Sequence, residues 1–350
     1  MFFTRRIKNL KFLLLILVFA SLSFLMFIGA DLFNHINRQR RDSNIVHLKK
    51  ELYVESNVDV NTDSLNNHVE EVRVKPTEEP IVEFMNKYSD IHQQRRKHIQ
   101  RTCDLHRNEI PHMKNSPKLL VNKKHKMVYC QTPKAGTVSW CRIMLVLSGY
   151  KNYNEIMKMT APQVSRAWKS HVPLLSSFPK TEQENIMNTY TKFMFVRQPF
   201  TRLLSAYNDK IRMNEDRTYA RGFAGYRKKI LYKYSKKNET SEIKFHEFIR
   251  YVLSTKHNNA HWREMYKVCY PCDIHYDVIG QFEDMKNEAK YILTLSNITD
   301  LTFPTASGRH LTHSSNEDKF KKAYSYIPDK DELYQRYKYD FMLFGYTNPL

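Results

Sequence analysis

Thr132-Pro-Lys-Ala-Gly-Thr-Val-Ser-Trp140 and Phe193-Met-Phe-Val-Arg-Gln-Pro-Phe-Thr-Arg-Leu-Leu-Ser-Ala-Tyr207 are the two stretches whose reading decides the fold. Each reads as a β-strand that breaks into a loop and then a helix, with a cation and hydroxyls at the break. A helix N-terminus presents unpaired backbone N–H groups and the positive end of the macrodipole, so an anion is held there before any side chain contributes. Two such breaks imply a ligand with two separated anionic groups of the phosphate or sulfate kind.

In the first loop, Lys134 follows Pro133, Ala135 and Gly136 let backbone approach a ligand, and Thr137 opens the helix as a candidate N-cap, followed by Val138 and Ser139. A nucleoside-triphosphate P-loop places its lysine after the glycines. Here the lysine precedes the glycine, which excludes that class but leaves a mononucleotide loop open. In the second loop Arg197 ends the strand and Ser205 lies two turns into the helix, a bidentate cation and a directional hydroxyl. Either loop alone is as well explained by a capped turn or by an arginine paired with a structural carboxylate. The pair is far more specific.

Working outward, Lys118 to Val121 and Met127 to Cys130 read as strands joined by a turn at Asn122, and Val138 to Leu147 as a helix ended by Gly149. Phe193 to Val196 is a further strand, Pro199 suits a first helical turn, and Leu203, Leu204, Tyr207 and Ile211 face the core. Helices are also expected near Ile81 to Thr102, Phe245 to Leu253 and Asp331 to Asp340. Alternating strand and helix predicts an α/β fold with a central parallel sheet flanked by helices.

The 350 residues, with 41% hydrophobic and 13% aromatic content, suffice for a substantial core. A net charge of +20 implies a polyanionic partner. Phe12 to Ala30 carries no charge and follows Arg5, Arg6, Lys8 and Lys11, which reads as an uncleaved signal anchor, with a cleaved signal peptide as the alternative. The expected layout is a cytoplasmic tail at 1–11, a span at 12–30, a stem at 31–80 and a lumenal domain at 81–350. That placement argues against nucleic acid as the partner. The sequons at Asn238 and Asn297 agree with a lumenal domain. Of five cysteines, Cys269 and Cys272 are expected in structural disulfides, one of them with Cys103, and Cys141 as a buried free thiol.

The two motifs together resemble those of the Golgi carbohydrate sulfotransferases, in particular the chondroitin and dermatan 4-O-sulfotransferase branch. That branch carries Val-Pro-Lys-Val-Ala-Cys-Thr-Asn-Trp-Lys-Arg and a segment close to Phe-Val-Arg-Asp-Pro-Phe-Glu-Arg-Leu-Val-Ser-Ala-Tyr. The segment from His261 to Asp277 and the tail from Tyr337 to Tyr346 are similar to the same family, so the resemblance runs from about Met127 to Tyr346. It implies a P-loop-like sulfotransferase fold, 3′-phosphoadenosine 5′-phosphosulfate (PAPS) as sulfate donor, and no metal. It also implies a single-pass type II Golgi membrane protein, acting on an acidic glycosaminoglycan or glycoprotein glycan, with a homodimer as the candidate assembly.

By resemblance Lys134, Ala135, Gly136, Thr137, Val138 and Ser139 surround the 5′-phosphosulfate, Arg197 and Ser205 hold the 3′-phosphate, and Arg309 closes over the nucleotide. Lys134 would act on the bridging oxygen, and His171, between the two motifs, is the expected base, with His261 the runner-up. Arg221, Arg227, Lys228 and Lys229 are candidates for the acceptor groove. The chain departs from the branch at Val138, where a second threonine is common, at Gln198, where an acidic residue is usual, and at Cys141, in place of a lysine. Those departures support an alternative, a weak or inactive lumenal glycan-binding protein of the same fold.

Overall fold

The strand before the first loop is β2 (Met127–Cys130) and the strand before the second is β3 (Thr191–Val196). They are neighbours in the sheet and run parallel, Cys130 beside Met194. The computed structural model describes residues 78–212, 222–235, 242–255, 259–304 and 317–350. The expected anchor at 12–30 and nearly all of the stem lie outside the described residues, among which no helix is long and apolar enough to cross a membrane.

The order along the chain is α1 (Glu78–Leu105), β1 (Leu119–Asn122), β2, α2 (Thr137–Leu147), α3 (Tyr153–Lys158), α4 (Ala161–His171), α5 (Lys180–Thr189), β3 and α6 (Pro199–Ala206). After α6 come α7 (Ala224–Ile230), α8 (Phe245–Ser254), α9 (Tyr266–Cys269), β4 (Val278–Gln281), α10 (Met285–Leu295), α11 (Glu317–Ser325) and α12 (Lys330–Phe344). The sheet order is β1-β2-β3-β4. Both β2–β3 and β3–β4 are parallel, but β1 pairs antiparallel with β2 across the turn after Asn122, so the sheet is mixed rather than wholly parallel. The physical reason is the connection: a short turn can return a strand only antiparallel, whereas each parallel pair is joined through helices.

Both faces of the sheet are covered. Met127, Tyr129, Phe193, Phe195 and Val278 pack on one side with Trp140, Ile143 and Met144 of α2, while Val128, Cys130, Met194, Val196 and Ile279 pack on the other with Met265, Tyr266 and Leu343. That period-two division explains why the strands read as unbroken apolar runs. A third core joins Phe200, Leu203 and Leu204 of α6 to Phe248, Tyr324, Tyr337 and Phe341. Two disulfides, Cys103–Cys272 and Cys130–Cys269, both lie in the second of these cores, and Cys141 is free and buried in the first. Burial pushes the Cys141 thiol up to about 12, so it packs as a neutral small apolar group.

Candidate active site

Three parallel strands deliver their C-terminal ends to one edge of the sheet, the place where open α/β sheets bind ligands. The loop after β2 is sharply turned: Lys134 has φ 73° and Gly136 φ 82°. A lysine in the left-handed region costs on the order of 1 kcal/mol and needs support. Support comes from Ala135 N donating to Thr132 O (3.2 Å), Thr137 Oγ1 to the same oxygen (2.6 Å) and Arg197 Nη1 to Lys134 O (3.2 Å). Gly136, not Thr137, is the N-cap of α2, and the Thr137 hydroxyl is turned back onto the loop. A side chain at 136 would meet both the positive φ and the Met285 methyl, 2.4 Å from an ideal Cβ. The glycine is therefore set by backbone geometry and by the Met285 side chain packed against it.

In the loop after β3, Arg197 is buried, with its guanidinium 4.2 Å from the centre of the Phe282 ring. Burial lowers it to about 10, opposed by Glu283, so it remains a cation. Gln198 is the N-cap of α6: its Oε1 accepts from Thr201 N (2.7 Å), the bond an acidic residue would make there. That departure from the resembling motif therefore leaves the helix start intact. Ser205 is buried on α6, two turns on.

Immediately after Ala206 the helix widens into a π turn, Tyr207–Ile211, a feature common at functional sites. The turn brings Asp209 Oδ2 to 2.8 Å from Lys134 Nζ and 3.2 Å from Lys210 Nζ. Burial lowers Lys134 to about 8 despite Asp209, whose own carboxyl, although desolvated, is held well below the usual range by the two ammonium groups.

His261 shares this electrostatic neighbourhood. Burial first, then the positive charges of Lys210 and Lys134, drive it down to about 3, so the imidazole is neutral at physiological pH. Asn259 Oδ1 accepts from the His261 backbone N–H (3.0 Å), which fixes the amide's orientation, and lies 2.7 Å from His261 Nδ1. That oxygen can only accept, so Nδ1 carries the proton and Nε2 keeps its lone pair. The segment is braced by Arg202, which is 1% exposed and donates to Pro133 O (2.9 Å), Arg263 O (2.8 Å) and Ala260 O (2.7 Å). One buried guanidinium thus ties the Lys134 loop to the His261 segment.

His171 is not brought to these loops. It ends α4, exposed, and stacks on Tyr150 at 3.9 Å, beyond the C-terminal end of α2, whereas Lys134 precedes that helix's N-terminus. Eleven helical residues separate the two positions by about 16 Å. Between the two histidines named from sequence, the one beside Lys134 is His261. Val138 is 39% exposed in the first turn of α2, and Ser139 beside it is half-buried. Arg309, Arg221 and Asn238 lie outside the described residues; Asn297 is exposed in the turn after α10. Lys228 and Lys229 are exposed on α7, with Arg227 half-buried. The sequence reading missed Asp209, Lys210 and Arg202. No helix-period signal marks Asp209, because the π turn Tyr207–Ile211 departs from the spacing of α6.

Residues 117–347 match the sulfotransferase family. The chain belongs to that family. This sulfotransferase is 30% identical over 294 residues to carbohydrate sulfotransferase 11 of Rattus norvegicus, covering 77% of this chain and 80% of that protein. It is 34% identical over 247 residues to carbohydrate sulfotransferase 10 of Gallus gallus, covering 66% and 67%, and 33% identical over 246 residues to carbohydrate sulfotransferase 9 of Homo sapiens, covering 66% and 54%. No solved structure matches. Family membership makes the sulfotransferase an enzyme with PAPS as its donor, and the donor set fits: two largely enclosed cations in the loops that follow adjacent parallel strands, each beside a helix N-terminus.

Proposed function

We propose that this enzyme transfers the sulfuryl group of PAPS to a glycan hydroxyl, with the 4-hydroxyl of N-acetylgalactosamine in a chondroitin-like chain as the acceptor. The observation that carries the chemistry is the convergence of Lys134, Arg197 and a neutral His261 with a bare Nε2 at one sheet edge. The resemblance to the chondroitin and dermatan 4-O-sulfotransferase branch, which runs from about Met127 to Tyr346, supports the acceptor. PAPS supplies an activated sulfuryl group when bound. In-line transfer then requires positioning, charge stabilisation and a proton acceptor.

Arg197 and Ser205 would hold the 3′-phosphate, while Lys134, Gly136 and the first-turn N–H groups of α2 would hold the sulfated end. Lys134 would balance charge developing on the leaving phosphate. His261 Nε2 would take the acceptor's proton, its Nδ1–H fixed on Asn259. The donor's negative charge would oppose the two ammonium groups that depress His261, raising its basicity when it is needed. The acceptor would run past Phe223, whose ring meets His261 edge-on at 5.2 Å, toward Arg227, Lys228 and Lys229 of α7. A Golgi lumenal location with a single type II span is proposed from the apolar run at 12–30, and two disulfides agree with an oxidising compartment.

The test is labelled-sulfate transfer by the purified full chain to a panel of glycosaminoglycans, with disaccharide analysis of the product. Lys134→Ala and His261→Ala are expected to lose at least about a hundredfold in kcat. Equal incorporation by wild type and both variants would sink the reading, and incorporation by His261→Ala alone at the wild-type rate would remove His261 as the base.

A further inference from the structure

Lys134 is a lysine with little water around it. Its side chain is 13% exposed and that of Asp209 17%, and a buried ammonium without an anion sheds its proton. The groups that face it are Asp209 and Lys210 from the π turn, Arg197 from the loop after β3, and His261 and Arg202 beyond them. Of these, Asp209 alone is negative. Its oxygen is shared with Lys210 at 3.2 Å, so the carboxylate keeps a cation when Lys134 turns elsewhere. The π turn also continues directly from α6, the helix that carries Ser205, which connects the two ends of the proposed donor site through one element.

We propose that Asp209 is a positioning residue: it keeps the Lys134 ammonium charged and in place in the empty site, and yields it to the donor on binding. The proposal rests on the donor reading above. It assigns the widened turn a purpose, since a regular helix would carry residue 209 along the α6 path rather than out toward the first loop. It also makes the carboxylate a competitor of the donor for the same ammonium.

The test is calorimetric titration of the detergent-solubilised full chain with 3′-phosphoadenosine 5′-phosphate from pH 6 to 9. Each pH is run in two buffers of different ionisation heat, to count protons taken up. At pH 7 wild type should take up about a tenth of a proton, following from a lysine titrating at about 8. Asp209→Asn should take up at least about half a proton, bind as tightly or more tightly at pH 6, and bind at least about fivefold more weakly at pH 8.5, so that the two affinity curves cross. Asp209→Glu should restore the wild-type curve, and Asp209→Ser, also neutral, should behave as Asp209→Asn. In turnover, Asp209→Asn should raise donor KM above neutral pH while kcat at saturating donor stays close to wild type, with little change in donor KM at pH 6.

A folded Asp209→Asn or Asp209→Ser with wild-type proton uptake and an uncrossed curve overturns the proposal and leaves the donor reading standing. Failure of wild type to bind the nucleotide at any pH overturns both.

Discussion

At the scale of single residues, the site is organised by what burial does to charge. Lys134 titrates at about 8 instead of 10.5, so between those values the folded chain binds fewer protons than the unfolded chain. Folding stability contributed by this group therefore rises as pH increases across that window, while nucleotide binding, which on the proposed reading draws on the ammonium, is expected to fall from about pH 8 upward. Opposite slopes in thermal melts and in binding over the same pH range are the expected outcome, and Lys134→Met should flatten both. Val138 gives a second prediction. It stands exposed in the first turn of α2, where a threonine would add a hydroxyl beside the backbone donors. One more hydrogen bond to an anion is worth about 1 kcal/mol, so Val138→Thr is expected to lower donor KM or raise kcat by about fivefold at unchanged melting temperature. A fall in activity would show that residue 138 faces the acceptor and not the donor.

At the scale of elements, the site depends on segments that the sheet does not itself position. The stretch before α9 is held by Arg202, by Asp340 accepting from Met265 N (2.7 Å) and Tyr266 N (2.9 Å), by Tyr337 donating to Trp262 O, and by the Cys130–Cys269 disulfide. Lysine cannot reproduce a fork that reaches three carbonyls on two segments. Arg202→Lys is therefore expected to cost about 2–4 kcal/mol of stability and at least about tenfold in kcat, with smaller loss in donor KM, measured by denaturant unfolding and transfer kinetics. Replacing Cys130 and Cys269 together by serine should cost about 3 kcal/mol and loosen His261 without touching Arg197. These braces also mark how far the sequence could be read. The strands β1 to β3, α2, α6 and the loops after β2 and β3 were legible because apolar runs, the turn after Asn122, Gly136 and Pro199 are local signals. The strand β4 and the His261 segment are set by contacts between distant residues, as Arg202 to Pro133 and Cys130 to Cys269 illustrate. His171 lies between the two motifs in the sequence, but α4 ends it on Tyr150, at the end of α2 away from Lys134.

At the scale of the whole molecule, a net charge of +20 is distributed in two ways that salt can separate. Lys134 and Arg197 are buried among protein atoms, where mobile ions screen poorly, whereas Lys228 and Lys229 stand in solvent on α7 next to the proposed acceptor path. A polyanionic glycan acceptor of the kind proposed would be steered by the exposed charges and would release counterions when it binds. The Debye length shrinks from about 10 Å at 0.1 M to about 3 Å at 1 M ionic strength, so contacts in solvent weaken over that range while enclosed ones largely persist. Acceptor KM should therefore rise by more than about tenfold between 0.05 M and 0.5 M salt, and donor affinity measured on the same preparation by less than about threefold. Lys228→Ala combined with Lys229→Ala should reduce the salt dependence of acceptor KM and leave that of the donor unchanged. If both substrates respond to salt alike, and the double variant alters neither, α7 is a solvated basic face and the acceptor enters elsewhere.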